Sequence, residues 1–584
     1  MKVTLMTTAS ASSLPTQRAR APRFTITTFG VIWTCLAILM FVVVLLPLLY
    51  TLDIAFREET MTGLSDNRSL EAFINVYTKP EYLLLLLNAV VLAAIVTAVS
   101  MLFGVTLALL VARSDIKFKG AVDMLVILPL FLSPLTGLIA WIVLGSGRTG
   151  LLNVLLSEIF DSTVRPFNIW SNVGIVWVMF LFFCPFAYLF TLGSLKSMDS
   201  ALEEAARISG ATVLQTIFKV TLPMSLPALF AAGLLIFILA TEVYIIPGII
   251  GSNTGFITLP WRIYQDARIF PPAQAHAAAA GTILMLITMI GLVIQHRITR
   301  MSDRYVTVGG KGFRGTPLRL GKLAWLAYGI ILVYVFSAVI LPFIALILAS
   351  FMKYASVDFA GDIWTLGQYL QMFTIRDFQV SLTNTLILAV LTGVLCVIIG
   401  LVISFAEVRR PNGGTRLLAF IGILPVAVPG IIYGMGILWV YLRTPLYGSI
   451  WVLLLAYVAK LLPYGILVSR SGVLQIHPDL EKSARMSGAT QMQALRFISA
   501  PLMRDTLVAV MFFVMIMAMN EVSASLLLAT GQNKVLSVLT FGFMDTGNYQ
   551  LASAITLAQT LLMVGIIVIT RAVFKVRIEG VVTR

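Results

Sequence analysis

Long apolar runs separated by short polar segments dominate the chain. A helix of roughly 20 apolar residues crosses the hydrocarbon core of a bilayer, where backbone amides must be paired within the segment. The pattern therefore predicts an all-α polytopic membrane protein with about twelve transmembrane helices. Prolines in the third and ninth spans predict kinks there, because each proline removes a helix hydrogen bond. The predicted spans are 28–52, 83–112, 121–145, 170–195, 224–250, 275–296, 323–351, 380–406, 417–441, 449–469, 506–530 and 551–570.

The second half of the chain repeats the first. Asn88, Gly104 and Arg113 recur as Asn384, Gly400 and Arg409, 296 residues later. Further on, EEAARISGAT (203–212) recurs as EKSARMSGAT (481–490) after 278 residues, so the first half holds 18 extra residues, which we place near 146–169.

Each half has an even number of spans, so both begin on the same side and form a parallel repeat. The predicted organisation is a tail (1–27), a first repeat (28–296), a basic linker (297–322) and a second repeat (323–584).

Composition and charge agree with this topology. Residues are 59% hydrophobic and 11% charged, which excludes a soluble multidomain enzyme. The net charge of +15 comes from lysines and arginines, of which 29 lie in the segments predicted inside and 11 in those outside. Because loops on the cytoplasmic side carry the excess of these residues, both termini are predicted to be cytoplasmic. The positive charge needs no nucleic acid partner.

Few ionisable residues lie well inside a predicted span: Glu242, Lys460 and Glu521. Such groups are costly in a membrane. Asn520 is the repeat counterpart of Glu242, so we hypothesise that these four residues face a translocation pathway. The alternative is a structural acid paired between helices, with Lys460 as the candidate partner. Asn88 and Asn384 are predicted to bridge helices through their side chains.

Other chemistry is absent from the sequence. The three histidines are widely separated and give no readable metal centre, and no phosphate-binding G-x-x-x-x-G-K-[ST] loop occurs. No catalytic nucleophile with its base is recognisable. ATP hydrolysis, if it drives this protein, is therefore expected in another chain.

The repeated segment predicts a short helix–turn–helix in a cytoplasmic loop of each half. Acidic and alanine residues favour a first helix, and Gly210 and Gly488 suit a turn with positive φ. An apolar second helix then leads to Pro223 or Pro501. A single copy would fit a plain interfacial turn equally well, whereas two matching copies favour a functional element.

These loops resemble the EAA motif of permease subunits in binding-protein-dependent ABC importers of type I, with MetI-like repeats. Glu204-Ala205-Ala206 and Gly210 match it, whereas the second copy departs at Lys482, Ser483 and Ala500. The resemblance implies coupling helices over 199–212 and 477–490 that dock onto ATP-binding subunits. The implied coupling residues are Glu203, Glu204, Ala205, Ala206, Gly210, Glu481, Ser483, Ala484 and Gly488.

The fused length, the basic linker and the segments ATEVYIIPGIIG (240–251) and MNEVSASLLLATG (519–531) are most similar to ferric-iron importer permeases. Permeases for 2-aminoethylphosphonate, thiamine or spermidine and putrescine are similar too. The resemblance implies a non-enzymatic subunit of the bacterial inner membrane, without a cofactor of its own.

Its implied partners are two ATP-binding cassette subunits at the cytoplasmic face, which carry the ATP, and a periplasmic substrate-binding protein. The outer stretches 251–274 and 531–550 are either the surface that meets that protein or simple loops. An ion-coupled secondary transporter would show more intramembrane acids and no paired docking loops. A membrane-embedded enzyme would show a clustered reactive site.

Overall fold

The computed structural model describes residues 28–60, 63–161, 164–198, 201–268, 273–302, 320–356 and 361–574. The predicted tail, residues 303–319 of the predicted linker and residues 199–200 of the first coupling range lie outside the described residues.

The first half consists of helices and one antiparallel hairpin, in which Arg57 pairs with Arg68 and Thr60 with Gly63. Its elements are α1 (Thr28–Met40), a π-helix (Phe41–Leu45), α2 (Leu46–Ala55), β1 (Arg57–Thr60), β2 (Gly63–Arg68), α3 (Glu71–Thr78), α4 (Pro80–Arg113), α5 (Lys119–Ile127), a 3-10 turn (Leu128–Phe131), α6 (Pro134–Gly145), α7 (Leu151–Phe160), α8 (Asn172–Ser197), α9 (Ala201–Ile208), α10 (Val213–Thr216), a π-helix (Ile217–Thr221), α11 (Leu222–Glu242), α12 (Ile245–Ser252), α13 (Leu259–Arg268) and α14 (Gln274–Ser302).

The second half repeats this order, but its described residues show an antiparallel bridge between Met352 and Trp364 in place of the two strands, and no counterpart of α7. Its elements are a 3-10 turn (Gly321–Leu323), α15 (Ala324–Val335), a π-helix (Phe336–Ile340), α16 (Leu341–Ser350), α17 (Gly367–Thr374), α18 (Arg376–Arg409), α19 (Gly413–Ile423), a 3-10 turn (Leu424–Ala427), α20 (Gly430–Tyr441), α21 (Ile450–Gln475), α22 (Pro478–Met486), α23 (Gln491–Ala494), a π-helix (Leu495–Ser499), α24 (Ala500–Leu502), α25 (Arg504–Met519), α26 (Ser523–Leu528), α27 (Leu536–Asp545) and α28 (Tyr549–Phe574).

The number of spans agrees with the prediction. Nine helices within the described ranges are long and apolar enough to cross a membrane, and three further helix pairs bend sharply at a short break. Counting each bent pair as one span gives twelve. The segment between α6 and α8 is 18 residues longer than that between α20 and α21, and it contains α7. The extra length of the first half therefore lies where the repeat offsets place it.

The proline-containing spans are bent far more than a kinked helix. α5 and α6 meet at 98°, and α19 and α20 meet at 112°. A proline disfavours the helical conformation in the residue before it. Accordingly, Ser133 before Pro134 and Val428 before Pro429 both have extended backbone angles. Each of these spans is thus two helices with a corner between them.

Two further predicted spans, 224–250 and 506–530, are interrupted within their bounds. The first stops at Glu242 and restarts at Ile245, and the second stops at Met519 and restarts at Ser523. In the first half Pro247 explains the break, because its ring excludes a helical carbonyl four residues earlier. In the second half the carboxylate of Glu521 caps the new helix by accepting a hydrogen bond from the Ala524 amide (3.0 Å).

Within each half, the two long helices α4 and α8, or α18 and α21, pack closely along their length. Small residues make this approach possible in a membrane. A Cβ on Gly400 would come within 2.5 Å of the Gly465 carbonyl carbon, and a Cβ on Gly104 within 2.4 Å of the Ala187 Cβ.

The first span of each half packs against the other half. α2 packs on α20 of the second half, and α16 packs on α6 of the first. Tyr441 donates a hydrogen bond to the Val42 carbonyl (3.1 Å), and Tyr334 donates one to the Leu181 carbonyl (3.3 Å). One hydrophobic core consequently runs through both halves.

The segments that follow α8 and α21 lie on the same face of the molecule, which we name the loop face. The Leu320 amide at the start of the second half donates a hydrogen bond to Asp115 (3.1 Å), just beyond the end of α4. From Leu320 the chain crosses once through α15 and α16 and returns through α18, whose end contacts the second loop. Two equivalent loops on one face follow from this path.

Candidate functional site: paired loops and an intramembrane ion pair

Loop 1 (residues 201–221) is a helix–turn–helix that its own sequence explains. α9 ends before Gly210, whose φ of +88° is the left-handed conformation that glycine adopts without strain. Thr212 and Gln215 then form a reciprocal capping box that starts α10, with bonds of 3.3 and 2.9 Å. The turn predicted at Gly210 is confirmed.

Loop 2 (residues 478–499) has the same geometry. α22 ends before Gly488, whose φ is +91°. Thr490 and Gln493 form the matching capping box with bonds of 3.3 and 2.7 Å. A π-helix follows in both loops before the next span begins.

A buried ion pair holds loop 1 to the end of α4. The Nε of Arg113 lies 3.1 Å from Oε1 of Glu203, and Thr221 donates a hydrogen bond to the same oxygen (2.9 Å). The Nη2 of Arg113 also donates to the Leu195 carbonyl (2.9 Å) at the end of α8. We name this group latch 1 (Arg113, Glu203 and Thr221).

The same group recurs as latch 2 (Arg409, Glu481 and Ser499). The Nε of Arg409 donates to Oε2 of Glu481 (2.8 Å), and Ser499 donates to Oε1 (2.8 Å). The second guanidinium nitrogen donates to the carbonyls of Val473 and Ile476 (3.1 and 2.8 Å). Both glutamates are 6% exposed, so each latch binds one loop, one long span and the end of its neighbour into a unit.

The latches divide the predicted coupling residues into two groups. Glu203 and Glu481 point inward and position the loops, so they cannot themselves meet a partner. Glu204, Ala206 and Ala484 are half-buried, whereas Ala205, Gly210, Ser483 and Gly488 are exposed. Exposed apolar side chains lie beside them at equivalent places, with Ile208 87% and Met486 89% exposed. A water-facing loop gains nothing from such side chains, which are typical of a contact surface.

Sequence reasoning missed the arginines of the latches. The recurrence of Arg113 as Arg409 was visible, but their partners lie 90 and 72 residues away in the chain. The available signal was that both residue types recur in the second half, the arginine after 296 residues and the glutamate after 278.

The intramembrane residues form a second candidate site, separate from the loops. Near the middle of α21, the Nζ of Lys460 lies 2.7 Å from Oε2 of Glu521. Glu521 therefore fits the alternative of an acid paired with Lys460 between helices. Glu242 is different, because its Oε1 is buried without a hydrogen-bond partner in the described part of the chain. Lys460 is the charged side chain that acts on Glu242 electrostatically.

Asn520 joins the two halves at this level. Its Nδ2 donates to the carbonyl of Phe131, at the corner between α5 and α6 (3.2 Å), while its Oδ1 is buried without a partner among the described residues. Asn88 and Asn384 bridge elements as predicted, by donating to the carbonyls of Ile257 and Lys534 (2.9 Å each).

The chain matches known proteins over most of its length. The model of a family described as the inner membrane component of binding-protein-dependent transport systems matches residues 100–302 and 397–577. This double match confirms the fused two-repeat organisation.

Several transport permeases are similar. The ferric transport system permease protein FbpB of Actinobacillus pleuropneumoniae is 27% identical over 475 residues, 80% of this chain and 68% of that protein. A putative ferric transport system permease of Haemophilus influenzae is 26% identical over 86% of this chain and 78% of its own length. A putative 2-aminoethylphosphonate transport system permease, PhnU of Salmonella choleraesuis, is 29% identical over 44% of this chain and 90% of its own length.

Among solved structures, a bacterial ABC transporter involved in alginate import is 21% identical to this chain, with a TM-score of 0.39 over 47% of this chain and 96% of its own. The double match of the family model decides the assignment. The chain belongs to the family of inner membrane components of binding-protein-dependent transport systems.

Proposed function

We propose that this chain is the permease subunit of an ATP-driven importer that carries ferric iron from a periplasmic binding protein into the cytoplasm. The observation that carries the proposal is the pair of latched, equivalent loops on one face of a two-repeat membrane protein. The FbpB proteins, ferric transport system permeases that match 80% and 86% of this chain, support ferric iron as cargo.

The loops have the features expected of docking sites for separate ATP-binding subunits. Their exposed apolar side chains offer a docking surface, and each latch transmits a displacement of the loop to a long span. A pair of ATP-binding subunits that close on ATP would move both loops together. Because the repeats share one core, such a movement would tilt the halves against each other and alternate the access of the pathway.

This assignment makes the loop face cytoplasmic, in agreement with the excess of lysine and arginine in the loops predicted inside. The opposite face carries the hairpin, α13 and α27. We propose this face as the surface that meets the binding protein. ATP would bind only on the partner subunits.

One alternative keeps the architecture and changes the cargo. The PhnU proteins resemble one repeat at slightly higher identity than the FbpB proteins resemble the whole chain. A 2-aminoethylphosphonate importer is therefore the second candidate. Uptake of labelled ferric iron and of labelled 2-aminoethylphosphonate by the same cells would separate the two.

The coupling proposal can be tested by co-purification with the ATP-binding subunit after the change Gly210→Asp plus Gly488→Asp. Both glycines have positive φ, so aspartate strains the turn, but no neighbour lies within 4 Å of an added Cβ and no clash follows. Gly255→Asp plus Gly547→Asp is a matched control, since these glycines also have positive φ and free space, before α13 and after α27. We expect the ATPase to be lost only from the loop variant. Retention by both variants would refute the docking role.

A further inference from the structure

The paired charged residues within the spans, Lys460 and Glu521, belong to the second repeat and have no charged counterparts in the first. At the repeat offset of 278, Lys460 corresponds to Phe182, and Glu521 corresponds to Val243. Phe182 lines an apolar cavity at the corner between α5 and α6, together with Pro134 and Trp141. The same place in the fold therefore holds an apolar cavity in one half and an ion pair in the other.

The ammonium group of Lys460 is held closely by its surroundings. A Cβ on Gly430, at the corner between α19 and α20, would come within 2.4 Å of Nζ, so any side chain there would displace the ammonium. Glu521 is fixed on the other side, because its Oε1 accepts the Ala524 amide while Oε2 meets Lys460. The lysine side chain is 27% exposed, so the protein does not enclose it fully.

Acidic side chains outnumber basic ones in this region. Lys460 is paired with Glu521, and Glu242 lies within its electrostatic influence. Glu242 keeps a buried oxygen without a partner in the described structure, and so does Asn520, its repeat counterpart. Carboxylate and amide oxygens are the ligands that hard cations prefer.

We propose that Glu242, Glu521 and Asn520 form a site for a cation on the translocation pathway, and that Lys460 is a tethered cation that fills this site when cargo is absent. The proposal rests on the proposed permease function and deepens it. A passing cation takes the place of the ammonium between the carboxylates, and Lys460 returns as the cation leaves.

The composition of the site suits passage rather than storage. No cluster of three or more histidine, cysteine, aspartate or glutamate side chains able to hold a metal lies within the described ranges. Conduction requires binding that is favourable enough for entry and weak enough for release. A site with two acids and a competing lysine meets this requirement, and it disfavours anionic cargo such as a phosphonate.

The first test measures uptake into proteoliposomes that contain the permease, its ATP-binding subunit and the binding protein. Glu242→Gln and Glu521→Gln should each lower cation uptake about tenfold or more, because each removes one carboxylate that stabilises the passing cation. ATP hydrolysis stimulated by the binding protein should persist. Asp123→Asn is the matched control, because this acid contacts Tyr188 (2.7 Å) at the loop end of its span. Uptake near the wild-type rate in both glutamine variants would overturn the proposal.

The second test measures retention of a cation by the purified complex after Lys460→Met. With the tethered cation removed, equilibrium dialysis against ferric nitrilotriacetate should show iron bound to the variant, whereas the wild-type complex binds far less. The added iron should also raise the unfolding temperature of Lys460→Met alone, since a ligand stabilises the state it binds. Parallel dialyses with spermidine, thiamine and 2-aminoethylphosphonate identify which cation fits, and the phosphonate should not bind.

Lys460→Arg is the matched control, because it keeps a tethered cation beside Glu521 and leaves the Glu521 cap on the Ala524 amide intact. It should fold and bind no more iron than wild type. If Lys460→Met binds none of the cations, the tethered-cation proposal is wrong. If instead the wild-type complex shows no ATP-dependent uptake at all, the proposed function itself fails, so the two failures are distinguishable.

Discussion

The loops and the broken spans differ in how closely their residues match between the two repeats. Latch 1 and latch 2 each join an arginine, a glutamate and a hydroxyl side chain at similar distances, and both loops turn at a glycine with nearly equal φ. The broken spans keep their shape but change their chemistry, since Lys460 and Glu521 correspond to Phe182 and Val243. The backbone is thus duplicated in both regions, whereas the side chains are duplicated in the latches and not in the ion pair of the broken spans.

The difference indicates two separate demands on the molecule. In the proposed importer, loops that meet two ATP-binding subunits need the same attachment twice, and symmetry serves that purpose. A pathway that runs between the halves passes a single cargo, so its lining gains nothing from symmetry. Changes in the latches should therefore act alike in both halves, and changes in the broken spans should act in one half only.

The largest effect is expected from breaking a latch. Arg113→Ala or Arg409→Ala leaves a buried glutamate without its partner, which costs about 3–5 kcal/mol. Either change should release one loop and abolish coupling between ATP hydrolysis and uptake, measured together in proteoliposomes. Because the latches match, the two variants should fail to a similar degree.

Arg416→Ala is the control for these variants, since Arg416 is exposed near the start of α19. It should couple normally. A second variant, Arg409→Met plus Glu481→Leu, removes both charges and should recover stability without full coupling. Normal coupling in either single latch variant would show that the loops are held by other contacts.

The next effect concerns the ion pair within the spans. Lys460→Phe plus Glu521→Val gives the second repeat the side chains of the first. Replacing a buried ion pair with apolar residues is often neutral or stabilises by about 1–4 kcal/mol, whereas removing one partner destabilises by about 3–5 kcal/mol. The double variant also loses the Glu521 cap on the Ala524 amide, which costs about 1 kcal/mol. It should therefore unfold close to wild type but lose uptake, while Lys460→Phe alone should unfold earlier. Full uptake by the double variant would mean that the asymmetry has no functional consequence.

The sequence was sufficient for the spans, the repeat, the extra length near α7 and the turns at Gly210 and Gly488. These features depend on local pattern, such as apolar length or a glycine at a fixed offset. The corner at Pro134 was underestimated as a kink, although a proline at the start of one helix and an extended residue before it define a corner. Pro247 offered a comparable signal for the break after Glu242.

The latches and the second break needed three-dimensional information. Arg409 and Glu481 belong to different segments, and only helix packing brings them within 2.8 Å. The break before Ser523 has no proline, and the polar residues Asn520 and Glu521 do not by themselves predict that the helix stops there. Its cause is a carboxylate that caps a helix inside the membrane, an arrangement that no pattern of apolar residues reports.

A smaller effect is expected where small residues let spans approach. Gly400→Ala places a Cβ against the backbone of Gly465, and overpacking of this kind costs about 1–3 kcal/mol. Gly104→Ala meets the Ala187 side chain instead and should cost a similar amount. Gly565→Ala, where an added Cβ meets nothing within 4 Å, is the control. Thermal unfolding of the detergent-solubilised chain measures all three, and equal stability of Gly400→Ala and the control would contradict the close packing.

The smallest effect should come from the charge difference between the loops. Lys482 stands where loop 1 has Glu204, and it pairs with Asp479 (3.0 Å) at the surface, where the lysine lowers the pKa of that carboxyl group. Exposed ion pairs contribute little to stability. Lys482→Glu should therefore leave the fold intact and change the affinity for the ATP-binding subunit by less than about tenfold, measured by titration of the purified subunits. A larger loss would show that the motor distinguishes the two loops by charge, and the symmetry inferred from the latches would then end at their outer surface.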